Sequence, residues 1–422
     1  MEKTKVSITK GTKNPSEQEI EGLVREALQL LGNLDDLIAP GKNVLIKPNN
    51  ADVWDIPEEV TDLRVVRAVA KIVKEKGTKL IIAESSAVAM DTEKVFEMTG
   101  YDRLRDEGYD LIDLKKTEVV KVPLPKGKTF NELSVFKMVR DADTIISVPM
   151  LKTHAQLLVT ISIKNMKGCF PDFEKRKAHL VYGVEEAIAQ LNTLVRPHLT
   201  VVDGIYGGGG RGSPFRTLEE VDAIIAGRDP VAVDTVCSQV MGIDPQKVLH
   251  LKYAEELGVG TMNPDEIEVV GKPISEVYHK FVTSWEATQD ISRRLGVNLV
   301  LDEKVCTGCN VGIMGALGAI EEMGRAELLN GLTITAGREM KRLPEVEKEK
   351  LILVGNCIAK FKDRGRHVPG CPMSGGEMIY EITGIQIPET YMGDALEGTY
   401  ARYQKKVAAG APKGFDWNAP PG

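Results

Sequence analysis

Short apolar runs and helix-like stretches alternate along the first 280 residues. Val44-Leu45-Ile46 follows Pro40-Gly41 and predicts a strand. A helical pattern runs from about Leu63 to Lys76 and stops at Gly77. Leu80-Ile81-Ile82-Ala83 predicts the next strand, and Thr144-Ile145-Ile146-Ser147-Val148, ended by Pro149, another. Leu199-Thr200-Val201-Val202-Asp203 predicts a fourth, and Ile267-Glu268-Val269-Val270 a further short one. Apolar runs bounded by Gly and Pro and separated by helices predict an α/β fold, with a mostly parallel sheet flanked by helices on both faces.

Beyond Ile267 to Val270 a helical, linker-like stretch spans about Ser275 to Arg294. A second, smaller α/β unit begins near Val297, with strands at Leu332 to Thr335 and Leu351 to Val354 and an apolar segment from Ile313 to Met323. The expected division is therefore an α/β domain over 1–280, a cysteine-rich domain over 281–395 and a loose tail over 396–422.

Composition narrows the classes. With 422 residues, 42% hydrophobic and 27% charged, the chain reads as globular with more than one core. A net charge of −7 argues against a general nucleic-acid binder. No apolar run reaches membrane-span length, and Met1-Glu2-Lys3-Thr4-Lys5-Val6 lacks a signal-peptide core, so a cytoplasmic protein is expected. Thiols stay reduced there, and clustered cysteines read as metal or redox groups before disulfides.

Four of the six cysteines fall in the smaller unit. Cys306-Thr307-Gly308-Cys309 sets two thiols one tight turn apart, Cys357 follows a strand through Gly355-Asn356, and Cys371 lies in Val368-Pro369-Gly370-Cys371-Pro372. Each is expected in a loop at the end of an element, where backbone N–H groups can point at sulfur. The spacing suits a 4Fe–4S cluster collected from several loops. Zinc also accepts four cysteines but prefers two close CxxC pairs. Structural thiols or a redox pair are the remaining alternative.

Lys47-Pro48-Asn49, Pro149-Met150-Leu151-Lys152-Thr153-His154, Lys164-Asn165-Met166-Lys167-Gly168 and Gly227-Arg228-Asp229-Pro230-Val231-Ala232-Val233-Asp234 occur in this order. Through them, residues from about 40 to 280 resemble the domain of unknown function 362 family, prokaryotic proteins often linked to iron–sulfur domains. The loop Val368 to Pro372 is similar to the cysteine loop of the cluster-bearing small subunits of respiratory complex I and nickel–iron hydrogenases. That likeness implies a ligand role for Cys371 alone. Met373 stands where complex I has a second proline, and the adjacent-cysteine pair of complex I is absent.

In a parallel α/β sheet, ligands bind beyond the carboxyl ends of the strands. Lys47 and Asn49 follow the first strand there, Glu84-Ser85-Ser86 the second, Lys152 and His154 the third, and Asp203 the fourth. Lys164, Asn165 and Lys167 form a second cationic segment ending in Gly168. Lysines beside glycine suit a phosphate or carboxylate, and His154 can move a proton near neutrality. His154 and Lys164 are thus the candidate catalytic residues; Lys47, Asn49, Lys152, Asn165, Lys167 and Asp203 are candidates for substrate binding. Lys175-Arg176-Lys177 reads as a solvated face. Cys169 and Cys237 read as core thiols, and Asp229-Pro230 as a helix cap followed by N1 proline. Gly207 to Gly210 reads either as a loop closing over ligand or as a surface turn.

Three functions fit these features. The first is an iron–sulfur oxidoreductase acting on a small anionic substrate, with a ferredoxin-like redox partner. The second is a non-enzymatic electron carrier or cluster-handling factor. The third is an isomerase or dehydratase whose cluster is structural or a Lewis acid.

Overall fold

The computed structural model describes residues 3–386 apart from 52–58, 89, 125–129, 155, 179–181, 211–215, 303–304, 306 and 372. Cys306 and the expected tail at 396–422 lie outside the described residues.

The strands up to residue 271 are β1 (Thr4–Lys10), β2 (Asn43–Pro48), β3 (Lys79–Glu84), β4 (Asp110–Asp113), β5 (Val119–Pro123) and β6 (Glu132–Phe136). They continue with β7 (Thr144–Val148), β8 (Met150–His154), β9 (Leu158–Thr160), β10 (Leu199–Gly210), β11 (Arg216–Gly227) and β12 (Ile267–Gly271). Ten of them form one sheet in the order β12-β1-β11-β10-β7-β2-β3-β4, with β8 and β9 branching from β10; β5 and β6 form a separate hairpin. The run β10-β7-β2-β3-β4 is parallel throughout.

Alternation along β2 shows why Val44, Leu45 and Ile46 are apolar without a break. Val44 and Ile46 pack under the helices Glu17–Leu30 and Leu63–Glu75. Leu45 points to the opposite face, where it meets a core containing Phe136, Phe170 and Leu191. A strand covered on both faces loses its polar alternation. Ser16 and Asp62 cap the two helices by accepting from Glu19 N and Arg64 N. Asp229 caps the helix Pro230–Val240 in the expected way, with Pro230 in its first turn.

The sheet is less uniformly parallel at its other end, where β11 lies antiparallel to both β1 and β10. The glycine run is neither a closing loop nor a surface turn. Gly207 to Gly210 continue β10 and pair with Arg216 to Glu219. The Phe281 ring presses on this strand, so that a Cβ at 207 would lie 2.5 Å from it.

The helix Ser284–Arg294, opened by a Thr283/Glu286 capping box, packs against β10 and against the next unit. That unit holds β13 (Asn298–Leu301), β14 (Thr333–Ala336), β15 (Leu351–Val354) and β16 (Arg366–Val368), all parallel and in chain order. Ile313, Leu317 and Ile320 of the helix Thr307–Glu322 close its core over Ile334 and Ile352. No helix among the described residues is long and apolar enough to cross a membrane.

Candidate functional site

Seven of the eight residues marked for substrate line one cavity of about 270 Å³: Lys47, Asn49, Lys152, His154, Lys164, Asn165 and Lys167. The carboxyl ends of β2 and β3 supply its floor. Lys47, 1% exposed, donates to both Glu84 oxygens at 2.9 Å, to Pro48 O and to Asn165 Oδ1. The Asn165 amide in turn donates to Lys47 O and Ser147 Oγ. Gly168 lets the backbone lie on this pair, since a Cβ there would sit 2.5 Å from Glu84 Oε1 and 2.6 Å from Lys47 Nζ.

Glu59 organises the opposite wall. It accepts from Lys152 at 2.9 Å and from Arg216, while its backbone carbonyl accepts from Lys152 and from the Asn49 amide at 3.0 Å each. Burial opposes its ionisation, but Arg216 and Lys152 outweigh that and hold its carboxyl below the usual range. His154 Nδ1 accepts from the backbone N–H of Gln156 and Leu157 at 3.2 Å, so a neutral ring carries its proton on Nε2. Lys164 has no hydrogen bond or ion pair from any described residue.

Six cations line this space, namely Lys47, Lys152, Lys164, Lys167, Lys175 and Arg216, against the carboxylates of Glu59 and Glu84. The excess shows in their ionisation. Burial, then Lys167 and Lys152, push the Lys164 ammonium well below its ordinary range. Burial and the nearby Lys175 push Lys167 down to about 7. Burial likewise pushes Lys175 to about 8, against the attraction of Asp172. A bound anion would reverse these penalties by supplying the missing negative charge.

Two expectations are corrected. Lys175 does not belong to a solvated face. It is 3% exposed, lines the cavity, and donates to Ser85 O, Ser85 Oγ and Ser86 O. The helix Asp172–Lys177 turns Glu174 and Lys175 inward and leaves Arg176 and Lys177 outside. Asp203 does not reach the cavity. Its carboxylate accepts from Asp62 N at 2.7 Å and Ile205 N at 3.0 Å, and burial, then the Asp62 carboxylate, push its acidity down. The site also contains Glu59 and Arg216, which the sequence did not single out: they meet across 157 positions and leave no local signal. Cys169 is fully buried beside this floor, with its thiol pushed up to about 12 by burial. Cys237 is likewise core.

The described cysteines of the smaller unit all lie beyond carboxyl ends of its parallel strands. Cys309 is in the first turn of the helix following β13, Cys357 follows β15 and Cys371 follows β16. The last two loops are joined: Asn356 N donates to Gly370 O and Gly370 N to Asn356 Oδ1, each at 2.9 Å. Gly355, at φ +90°, lies against the first, for a Cβ there would be 3.0 Å from Cys309 Sγ. Cys309 is buried; Cys357 and Cys371 are exposed. Among the described residues, no three His, Cys, Asp or Glu side chains are gathered closely enough to hold a metal ion. The segments around Cys357 and Cys371 are thus joined to each other and lie beside the helix that carries Cys309. Val311, two residues after Cys309 on the same helix, is part of the cavity wall.

A protein named thylakoid-associated protein sll1697, from Synechocystis sp. (strain ATCC 27184 / PCC 6803 / Kazusa), is 30% identical over 276 residues, covering 62% of this chain and 81% of that protein. Among solved structures, the lactate racemase apoprotein from Thermoanaerobacterium thermosaccharolyticum overlaps 80% of this chain and 84% of its own, at 14% identity and a TM-score of 0.34. A protein from Thermotoga maritima overlaps 90% and 93%, at 9% identity and a TM-score of 0.31. Overlap this loose carries no argument about what the chain binds. The family model described as domain of unknown function (DUF362) matches residues 44–239, the segment that builds most of the cavity, and the chain belongs to that family.

Proposed function

We propose that the chain is an iron–sulfur oxidoreductase that takes a small anion into the lysine-lined cavity. The observation that carries this reading is the excess of six cations over two carboxylates in a space of about 270 Å³. That volume falls just below the roughly 300–1,000 Å³ of drug-sized ligand sites, so the ligand is small. A cavity of this kind favours an enzyme over a plain electron carrier.

Lys152 and Lys167 would bind and orient the anion through charge-assisted bonds, about twice as strong as neutral ones, with Lys164 beside them as the candidate catalytic amine. Lys47 and Asn165 hold the floor rigid through their mutual bonds. His154, its ring fixed by two backbone N–H groups, would hold or give a proton at Nε2. Cys306, Cys309, Cys357 and Cys371 would hold a 4Fe–4S cluster, which when bound supplies single electrons. A ferredoxin-like protein is the proposed donor and the reducing cytoplasm the proposed setting.

The test is anaerobic purification followed by iron and acid-labile sulfide analysis and EPR, with sulfate titrated calorimetrically into the same preparation. About four irons and four sulfides per chain are expected, together with saturable sulfate binding. Stoichiometric zinc without sulfide would refute the cluster. Absence of sulfate binding to a folded protein would refute the anion site.

A further inference from the structure

We propose that Lys164 is the nucleophile of this cavity, and that its amine captures a small carbonyl-bearing anion, a 2-oxo acid, as an imine. The proposal rests on the reading of the cavity as an anion site and assigns that site a covalent chemistry.

Four of the cations around it are committed to protein groups. Lys47 is held by Glu84, Lys152 and Arg216 by Glu59, and Lys175 by the Ser85 and Ser86 oxygens. Lys164 has neither a hydrogen bond nor an ion pair from a described residue, although it lines the same cavity. Its field also reaches His250, which is wholly buried with neither ring nitrogen hydrogen-bonded and is kept neutral by burial. His250 supplies no counter-charge, and the carboxylate that acts on Lys164, that of Glu59, is already bonded to Lys152 and Arg216.

The backbone that carries Lys164 is fixed. Asp234 accepts from Ser162 N at 2.8 Å and from Ile163 N at 3.0 Å, pinning the start of the helical turn Ser162–Asn165. Asn165, the next residue, is locked to Lys47 and Ser147. A lysine placed this firmly, desolvated and beside Lys167 and Lys152, gives up its proton more readily than a solvent-exposed one, and the free amine is the form that attacks carbonyls. An amine meant only to attract charge would have no need of that environment. The carboxylate of the 2-oxo acid finds its charge complement in the remaining lysines, Lys167 first among them by its influence on Lys164.

The step balances without oxidant or reductant. The Lys164 Nζ lone pair forms a bond to the carbonyl carbon, and the carbonyl π electrons move to oxygen, which takes up a proton. The nitrogen loses one proton to leave a carbinolamine, the hydroxyl takes up a second proton, the C–O bond breaks with the oxygen leaving as water, and the nitrogen then loses its last proton. One amine and one carbonyl give one imine and one water, and a further proton from solvent gives the iminium.

The test is borohydride trapping on the full chain. Pyruvate, glyoxylate and 2-oxoglutarate are each incubated with the protein, reduced with sodium borohydride, and analysed by intact mass and peptide mapping. The expected result is one borohydride-dependent adduct per chain with at least one of the three, mapped to Lys164 and at least tenfold above the unreduced control. Lys164→Arg keeps the charge and should lose the adduct, while exposed Lys71→Arg should keep it. Mapping of the unaltered chain decides the matter even where Lys164→Arg fails to fold. Sulfate binding without any adduct, or adducts spread over other lysines, overturns the imine and leaves the anion site standing. Loss of both sulfate binding and adduct overturns both readings.

Discussion

The lysines of the cavity titrate where proteins normally work, and that gives the site a pH signature. Lys167 at about 7 and Lys175 at about 8 are partly uncharged in the empty protein. A bound dianion favours their ammonium forms, so binding takes up protons. Sulfate keeps its own charge over this range. Its affinity should therefore fall as pH rises from 6.5 to 9, by up to about tenfold per unit for each proton taken up. The charged and titratable groups facing the ligand beside them are Lys47, Lys152, Lys164, Arg216, His154, Glu59 and Glu84, with Asp172 beside Lys175. Calorimetry in two buffers of different ionisation enthalpy measures the uptake, and affinity flat across the range would sink the idea. The same linkage acts on folding. The unfolded chain binds more protons at Lys167 between pH 7 and 10.5, so this group costs stability below 7 and the cost fades as pH rises. Lys175→Ala should weaken sulfate binding roughly tenfold, the worth of one charge-assisted bond of about 1.5 kcal/mol. An unchanged dissociation constant would return Lys175 to a structural role. The sequence hid this residue because a run of charges was read without its helical phase, which buries Lys175 and exposes Arg176.

At the scale of elements, strands covered on both faces were the most legible. β2, β3 and β7 announce themselves as continuous apolar runs because helices lie over one face and an aromatic-rich core over the other. β1 and β11 give no such signal, since polar and acidic positions interrupt them and the neighbours of β1 lie far along the chain. The cysteine edge was legible as spacing, and its supports were not. Gly355 and Asn356 join the loops after β15 and β16 by contacts that exist only in the folded sheet. Serine at Cys306, Cys309, Cys357 or Cys371 should each lower iron and sulfide by more than half, whereas Cys237→Ser should leave them unchanged. Gly355→Ala forces a side chain to φ +90° against Cys309 Sγ. It should cost about 1–3 kcal/mol and lower iron content with it, as read by a chemical melt beside metal analysis. Full iron content with unchanged stability would show that this approach does not matter.

Across the whole molecule, the helix Thr307–Glu322 belongs to the smaller core yet lends Val311 to a cavity built by the larger sheet. The two parts therefore share one site, a fact invisible in the chain because Val311 is an ordinary apolar position in an apolar helix. Val311→Glu brings a third carboxylate to a wall that attracts anions. Sulfate affinity should drop at least roughly tenfold, while iron content stays that of the parent. Equal affinity in the variant would mean that Val311 is not part of the working wall.

The sheet also has an order of assembly built into it. β1 is made well before its two neighbours, β11 and β12, which begin at Arg216 and Ile267. At about 5–20 residues per second, β1 waits roughly 10 to 40 s on the ribosome before the first of them has even been made. Through that interval its ladder groups are open on both edges, a template for any other nascent strand. Contacts this distant in sequence slow folding as well. Production of this protein thus depends on sheltering β1 until most of the larger sheet exists, and overexpression should tax chaperones first.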